Sequence, residues 1–375
     1  MSSVIPLERD SVLRRAVELG ASDLILTAGH PVMMTVAGKF LPMPGSAVLS
    51  PVDSRRLAES FLTPALHERF LRDLELDTRF HLPNVAFFRI NLFIQRSHWG
   101  AAIRIVPLNI PLPSDLGLAP HVVQHVLGLT RGLVLITGPT GAGKSTTIAS
   151  LLEQMNRNGP CRHIVTVEDP IEFIFEAKQA VIDQREVGTD TLSYARGLKG
   201  ALRQLPHIIF VGEMRDLASM AIALTAAETG NLVISTMATQ SAAQTVTRII
   251  DSFPPHQQSQ VRSQLSLTLR AVISQVLIPR ADGKGRVAAR EMMFVNQAVQ
   301  NLIREDKVHQ IPNVIATSLR EDMVALDDSL AELVDRGQIG FESAYPFFED
   351  VEKRATLQKR FYRVASVPEP TGRRS

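Results

Sequence analysis

The residues best suited to chemistry in this 375-residue sequence lie between positions 138 and 146. Gly138-Pro139-Thr140-Gly141-Ala142-Gly143-Lys144-Ser145 fulfils the pattern G-x-x-x-x-G-K-[ST] throughout, and Thr146 follows. Glycines at those spacings let successive backbone N–H groups wrap phosphate oxygens. The lysine supplies a cation that reaches the β- and γ-phosphates, and the serine hydroxyl is a ligand for Mg²⁺. Gly138, Thr140, Gly141, Ala142, Gly143, Lys144, Ser145 and Thr146 are therefore the expected nucleotide-binding residues, with ATP and Mg²⁺ as the ligands. The chemistry demands a strand before the loop and a helix after it, so that the helix N-terminus adds partial positive charge. The sequence supplies both. Gly132-Leu133-Val134-Leu135-Ile136-Thr137 precedes the motif, and Ile148, Leu151, Leu152 and Met155 follow it at helical spacing.

Two further apolar runs end in acids. Ile208-Ile209-Phe210-Val211-Gly212-Glu213 brings Glu213, and Ile164-Val165-Thr166-Val167 leads into Glu168-Asp169. Open α/β sheets bind ligands at the carboxyl ends of their strands. In phosphoryl transfer the protein mainly positions groups and neutralises charge, so an acid that orients water and a cation near the γ-phosphate are the parts to look for. Taken singly, such acids are more often loop charges or helix caps; convergence on a phosphate loop favours Glu168 and Glu213 as catalytic. Glu213 is also expected to act on the Mg²⁺ shell through water.

The elements that must position these groups follow from apolar patterning. Buried-strand runs at Leu133–Thr137, Ile164–Val167, Ile208–Val211 and Leu232–Thr236 alternate with helical segments, which predicts a parallel sheet flanked by helices. The region from about Ser241 to Ala365 reads as largely helical, as in Val295, Ala298, Val299, Leu302 and Ile303. Ahead of the phosphate motif the grammar differs. Residues 7–20 read as a helix, strands are expected at 23–27, 32–36 and 39–41, and Pro51 to Leu71 is a second amphipathic segment. A strand pair follows, with Phe88, Ile90, Leu92 and Ile94 on one face, and Arg104 facing away from Ile103 and Ile105. Between Pro107 and Pro120 lie four of the 22 prolines, which fix φ and remove N–H donors. The expected division is a small α+β domain over 1–106, a Pro-rich linker over 107–120, an α/β ATPase domain with a helical C-terminal region over 121–365, and a disordered tail over 366–375.

Composition narrows the class. Lys plus Arg at 40 against Asp plus Glu at 38 gives +2, and aromatics are 5%. That balance argues against a polyelectrolyte binder or a base-stacking DNA motor, so no nucleic-acid partner is expected. One cysteine, Cys161, excludes an intrachain disulfide and a four-thiolate zinc site. No secretory leader is read at the N-terminus, and the longest apolar runs are far shorter than a membrane span, so a cytoplasmic protein is expected.

Over about residues 7–345 the sequence resembles the type IV pilus retraction ATPases of twitching motility (PilT-type), within the secretion-ATPase superfamily. The likeness is carried by Leu19-Gly20-Ala21-Ser22-Asp23-Leu24, by the acidic box Thr166-Val167-Glu168-Asp169-Pro170-Ile171-Glu172-Phe173, and by Gln184-Arg185-Glu186-Val187-Gly188. Val211-Gly212-Glu213-Met214-Arg215-Asp216 and Asn301-Leu302-Ile303-Arg304-Glu305, with His309-Gln310-Ile311, complete it. The resemblance implies a PAS-like N-terminal domain followed by a P-loop RecA-like ATPase domain, assembled as a homo-hexamer with nucleotide between the domains near a neighbouring subunit. It implies an ATP-hydrolysing motor of pilus retraction at the inner face of the bacterial inner membrane. Its implied partners are the pilus platform protein and a paralogous retraction ATPase. Arg89, Arg96 and Arg104 match the family's arginine pattern, and Arg89 and Arg104 are expected as catalytic charge stabilisers.

The chain departs from that pattern where the family carries two histidines. Asn231 and Ala238 stand there, and Leu205-Pro206-His207 replaces the usual Asp-Pro-Asp. Asn231 is expected to retain a hydrogen bond to a phosphate oxygen or water, without carrying charge. These losses motivate an alternative: a hydrolysis-poor nucleotide-binding paralogue that joins or regulates a retraction motor. A pilus-extension or type II secretion ATPase is disfavoured, because those relatives carry a zinc-binding Cys pair.

Overall fold

The computed structural model describes residues 7–36, 38–107, 109–318 and 322–365; the tail expectation over 366–375 lies outside the described residues. The chain divides into two compact units. One holds the residues up to Ile110 with Glu172–Ile174, and the other holds Pro111–Ile171 with the chain from Phe175 onward.

In the first unit, strands β1 (Ala21–Leu26), β2 (Met33–Val36), β3 (Lys39–Pro42), β4 (Glu75–Leu82), β5 (Ala86–Gln95) and β6 (His98–Pro107) form an antiparallel sheet ordered β3-β2-β1-β6-β5-β4. The expected alternation in β5 decides its faces. Phe88, Ile90 and Leu92 are buried, and they share a core with Val12, Leu13 and Ala16 of the helix Arg9–Glu18. The segment Pro51–Leu71 is two helices, Pro51–Glu59 and Pro64–Asp73. A Ser50–Asp53 capping box opens the first; Thr63 caps the second, whose Pro64 has no N–H to leave unpaired. Strand β4 escapes the sequence reading. Leu76 and Leu82 are buried, but Glu75, Asp77, Arg79 and His81 alternate with the apolar residues, as suits an edge strand.

In the second unit the strands are β7 (Gly132–Thr137), β8 (His163–Glu168), β9 (Val181–Glu186), β10 (Ile208–Val211), β11 (Leu232–Met237), β12 (Leu269–Pro279) and β13 (Arg286–Phe294). Their order is β13-β12-β7-β11-β10-β8-β9, parallel except for the antiparallel pair β12–β13. Every residue of β7, β10 and β11 is buried, which is why these strands read as unbroken apolar runs. The helix anticipated near residue 299 runs Gln297–Arg304, with the Asn296 side chain accepting from the Val299 N–H.

The region after Ser241 is not as helical as its sequence suggests, because it contains β12 and β13. Leu269-Arg270-Ala271-Val272-Ile273-Ser274-Gln275-Val276-Leu277-Ile278 is buried on both faces over most of its length, so there is no two-residue alternation to read. The proline-rich stretch is ordered where it enters this unit. Leu118 N–H donates to Pro113 O at 2.9 Å, and the Leu118 side chain joins the core ahead of the helix Pro120–Gly128.

Candidate nucleotide-binding site

Strand β7 lies between β12 and β11, so the Gly138–Ser145 loop leaves the middle of the sheet. Two features of the backbone require glycine there. Gly138 has φ +143°, and a Cβ on it would lie 2.2 Å from the Gln275 carbonyl oxygen of β12. Gly143 has φ +81° and turns the chain into the helix Lys144–Asn158. The loop is fixed from beneath. Gln275 Nε2 donates to the Ala142 carbonyl at 2.6 Å, and Thr147 Oγ1 donates to Gln275 Oε1 at 3.0 Å. Thr137 Oγ1 donates to Ser274 Oγ at 2.8 Å, tying β7 to β12 directly below the loop. Thr140 and Gly141 are exposed at the crest, and Ser145 and Thr146 are half-buried at the helix start. Lys144 Nζ donates to Gly138 O at 2.8 Å and Pro139 O at 3.1 Å, which holds the ammonium over the loop. The helix therefore begins without a side-chain cap, with its first N–H groups and a cation at one place. That arrangement suits a phosphate group.

The carboxylates arrive from neighbouring strands. β7, β11, β10 and β8 run parallel and in register, so their C-terminal ends share one edge of the sheet. Glu168 ends β8 and is buried; its Oε1 accepts from Thr166 Oγ1 at 2.6 Å and from Gln184 Nε2 at 3.3 Å. Glu213 lies two residues beyond β10, and its carboxylate accepts from Arg215 Nε at 2.7 Å, with Nη2 at 2.6 Å. This hydrogen bond pushes the Arg215 guanidinium further up from its ordinary value. Gly212 separates the two acids, and its N–H donates to Val167 O at 2.8 Å. Burial, reinforced by the Asp169 carboxylate, drives the Tyr194 phenol far above its ordinary value, so its hydroxyl stays a proton donor. A cavity of about 410 Å³ opens beside Glu213 and Arg215, lined also by Ala238, Thr239, Gln244 and Arg248.

Other candidates lie elsewhere. Arg89 and Arg104 belong to the first unit, directly opposite each other across β5 and β6, with Arg79 continuing the row on β4. Arg104 Nε donates to Asp23 Oδ1 at 2.9 Å. Arg96 and Ser97 form the hairpin turn with φ +48° and +62°, so Arg96 sits at a bend and not on the arginine row. Asn231 does not stand where its expected phosphate contact needs it. It precedes β11, beside Gly132 at the start of β7, and the phosphate loop follows the opposite end of β7. Its side-chain amide donates to the Pro206 carbonyl at 2.6 Å instead. Ala238, at the other end of β11, lies at the edge that carries the site. Gln275 and Tyr194 escaped the sequence reading, because nothing local marks a glutamine in an apolar run or a tyrosine opening a helix.

A phosphate loop rising from a central parallel strand, with carboxylates on the adjoining strand ends, defines a P-loop ATPase domain. Residues 114–309 match the model of the Type II/IV secretion system protein family. The Type IV pilus retractation ATPase PilT of Pseudomonas aeruginosa is 45% identical over 336 residues, covering 89% of this chain and 96% of its own. A twitching motility protein of Neisseria gonorrhoeae is 47% identical over 280 residues, 74% of each chain. The crystal structure of the pilus retraction motor PilT with bound ADP superposes with a TM-score of 0.84 at 41% identity, covering 92% of this chain and 98% of its own. The chain belongs to the type II/IV secretion ATPase family, among its PilT-type pilus retraction members. Among the described residues no helix is long and apolar enough to cross a membrane.

Proposed function

We propose that this protein is an ATP-hydrolysing motor of type IV pilus retraction, working as a homo-hexamer. It would act on the pilus platform protein at the cytoplasmic face of the inner membrane, alongside a paralogous retraction ATPase. The observation that carries the reading is the complete phosphate loop with Glu168 and Glu213 on the same sheet edge. In this reading the N–H groups of Gly141–Ser145 and the Lys144 ammonium bind the phosphates. Glu168, buried and held by Thr166 and Gln184, orients the attacking water together with Glu213. The donors near the loop are a hydroxyl and carboxylates, the oxygen set that Mg²⁺ prefers, so Ser145, and Glu213 through water, would hold it. Bound there, Mg²⁺ supplies neutralising charge on the phosphate oxygens. Arg89 and Arg104 would stabilise the charge that develops on those oxygens.

The second reading, a hydrolysis-poor paralogue, is favoured by one observation. Ala238 puts a methyl group at the site edge, where the resemblance to the retraction ATPases implies a histidine. Steady-state ATPase of the wild-type protein beside Lys144→Ala and Ala238→His separates the two. The motor reading expects wild-type turnover well above Lys144→Ala. Wild-type turnover equal to Lys144→Ala, with a gain in Ala238→His, overturns it in favour of the paralogue.

A further inference from the structure

The most unusual charge in the second unit lies behind the phosphate loop. Arg290 is on β13, directly opposite Gln275 of β12, and only 4% of it is exposed. Its Nη2 donates to the Leu116 carbonyl at 2.8 Å, and its Nε approaches Gln275 Oε1 at 3.4 Å. Its backbone N–H donates to Ser329 Oγ at 3.0 Å. No carboxylate pairs with it among the described residues; its partners are a carbonyl and an amide. Burial lowers its pKa to about 10, which leaves it charged at neutral pH.

A buried guanidinium without a counter-charge is among the least favourable arrangements a fold can hold, and an apolar side chain of similar volume is often the more stable choice. Holding the Leu116 carbonyl needs only a neutral donor, so the fold has no local need of the charge. The partner of this arginine says where the charge acts. Gln275 is the residue that grips the loop from beneath, through the Ala142 carbonyl and Thr147. Arg290, Gln275 and the loop therefore form one connected network behind the surface that carries Lys144.

We propose that Arg290 is a positioning residue for the bound polyphosphate. Through Gln275 it fixes the loop carbonyl that must face away from the phosphates, and its unpaired charge is a second, buried cation balanced by the nucleotide. The inference rests on the nucleotide reading above and adds a residue to that site. It also ties the loop to Leu116, in the segment by which the chain enters this unit.

The test is titration calorimetry of the full chain with Mg²⁺ and either ADP or a non-hydrolysable ATP analogue. The proteins are wild type, Arg290→Met, Arg290→Lys and Lys144→Ala, each first checked by thermal melting. Arg290→Met is expected to fold with a midpoint at or above wild type. It should weaken ADP by about tenfold and the more highly charged ATP analogue by more, the scale of one charge interaction in a partly buried site. Arg290→Lys, which keeps the charge, should stay within about threefold of wild type on the same argument. Unchanged affinity in Arg290→Met, with affinity lost in Lys144→Ala, overturns this inference and leaves the nucleotide reading intact. Equal losses for both ligands in Arg290→Met and Arg290→Lys alike also overturn it, since packing alone would do that. No binding by the wild-type protein brings down both. Should Arg290→Met fail to fold, Arg290→Gln, which keeps a neutral donor for the Leu116 carbonyl and removes the charge, is expected to give the same ligand-dependent loss, and wild-type affinity in that variant is the overturning result.

Discussion

At Gly212 an added methyl group would meet the Tyr194 hydroxyl at 2.8 Å and the Glu168 Cα at 3.4 Å. This glycine is explained by crowding between two strand ends, since β10 and β8 close on each other where the acids emerge. Gly212→Ala is therefore expected to cost about 1–3 kcal/mol, the range for overpacking a tight site. Thermal melting should show the loss, and ATPase should fall because Glu213 is displaced. Adding Tyr194→Phe, which removes the obstructing oxygen, should recover part of the stability. The sequence marked Gly212 and Glu213 as a strand end, but the residue that makes glycine necessary lies 18 positions upstream in a helix. Local pattern carries no information about that approach.

The hairpin β12–β13 is the element that the sequence concealed, and it underlies the site in two ways. Gln275 and Arg290 face the loop, and Glu291, the next residue on β13, accepts from the Ala242 N–H at 2.6 Å at the start of the helix Ala242–Asp251. Burial raises the Glu291 carboxyl to about 6 from an ordinary value of 4.5, and the nearby acids Glu349 and Asp327 add to the rise. The sign follows from proton uptake. Between about pH 4.5 and 6 the folded chain holds this proton more tightly than the unfolded chain, so ionising Glu291 destabilises the fold as pH rises through that window. Glu291→Gln keeps an acceptor for Ala242 and removes the charge. It should raise stability by roughly 1–2 kcal/mol at pH 7.5, and the gain should shrink as pH falls through 6 and vanish below about 4.5. Denaturant titrations across that range check it. Apolar runs buried on both faces look alike whether coiled or extended, so the strands were legible only where helix-spaced segments framed them.

Across the second unit, the parallel sheet has a reactive edge and a quiet one, and Asn231 and Ala238, where the resemblance implies histidines, fall on opposite edges. Strand β11 separates Asn231 from Ala238 by its full length, roughly 20 Å at the rise of an extended chain. Asn231→His alone is thus expected to leave ATPase within about twofold of wild type, while Ala238→His changes it, because a charge at residue 231 lies about two Debye lengths from that edge at physiological salt. Steady-state turnover of the two single variants measures this. A large change in Asn231→His would mean that the quiet edge communicates with the loop.

What the sequence determined by itself is whatever is local in the chain. The phosphate loop, the strand before it and the helix after it are contiguous, and their glycines, lysine and apolar spacing obey rules that act over a few residues. The alternation of β5 was legible for the same reason. The tertiary structure alone decided which side chains meet across the sheet. Gln275 reaches the loop from more than a hundred positions away, Arg290 lies behind it, and Asn231 is carried to the far edge by the direction of one strand. Those placements depend on strand order and register, which are set by the packing of the whole unit rather than by the neighbours of any one residue.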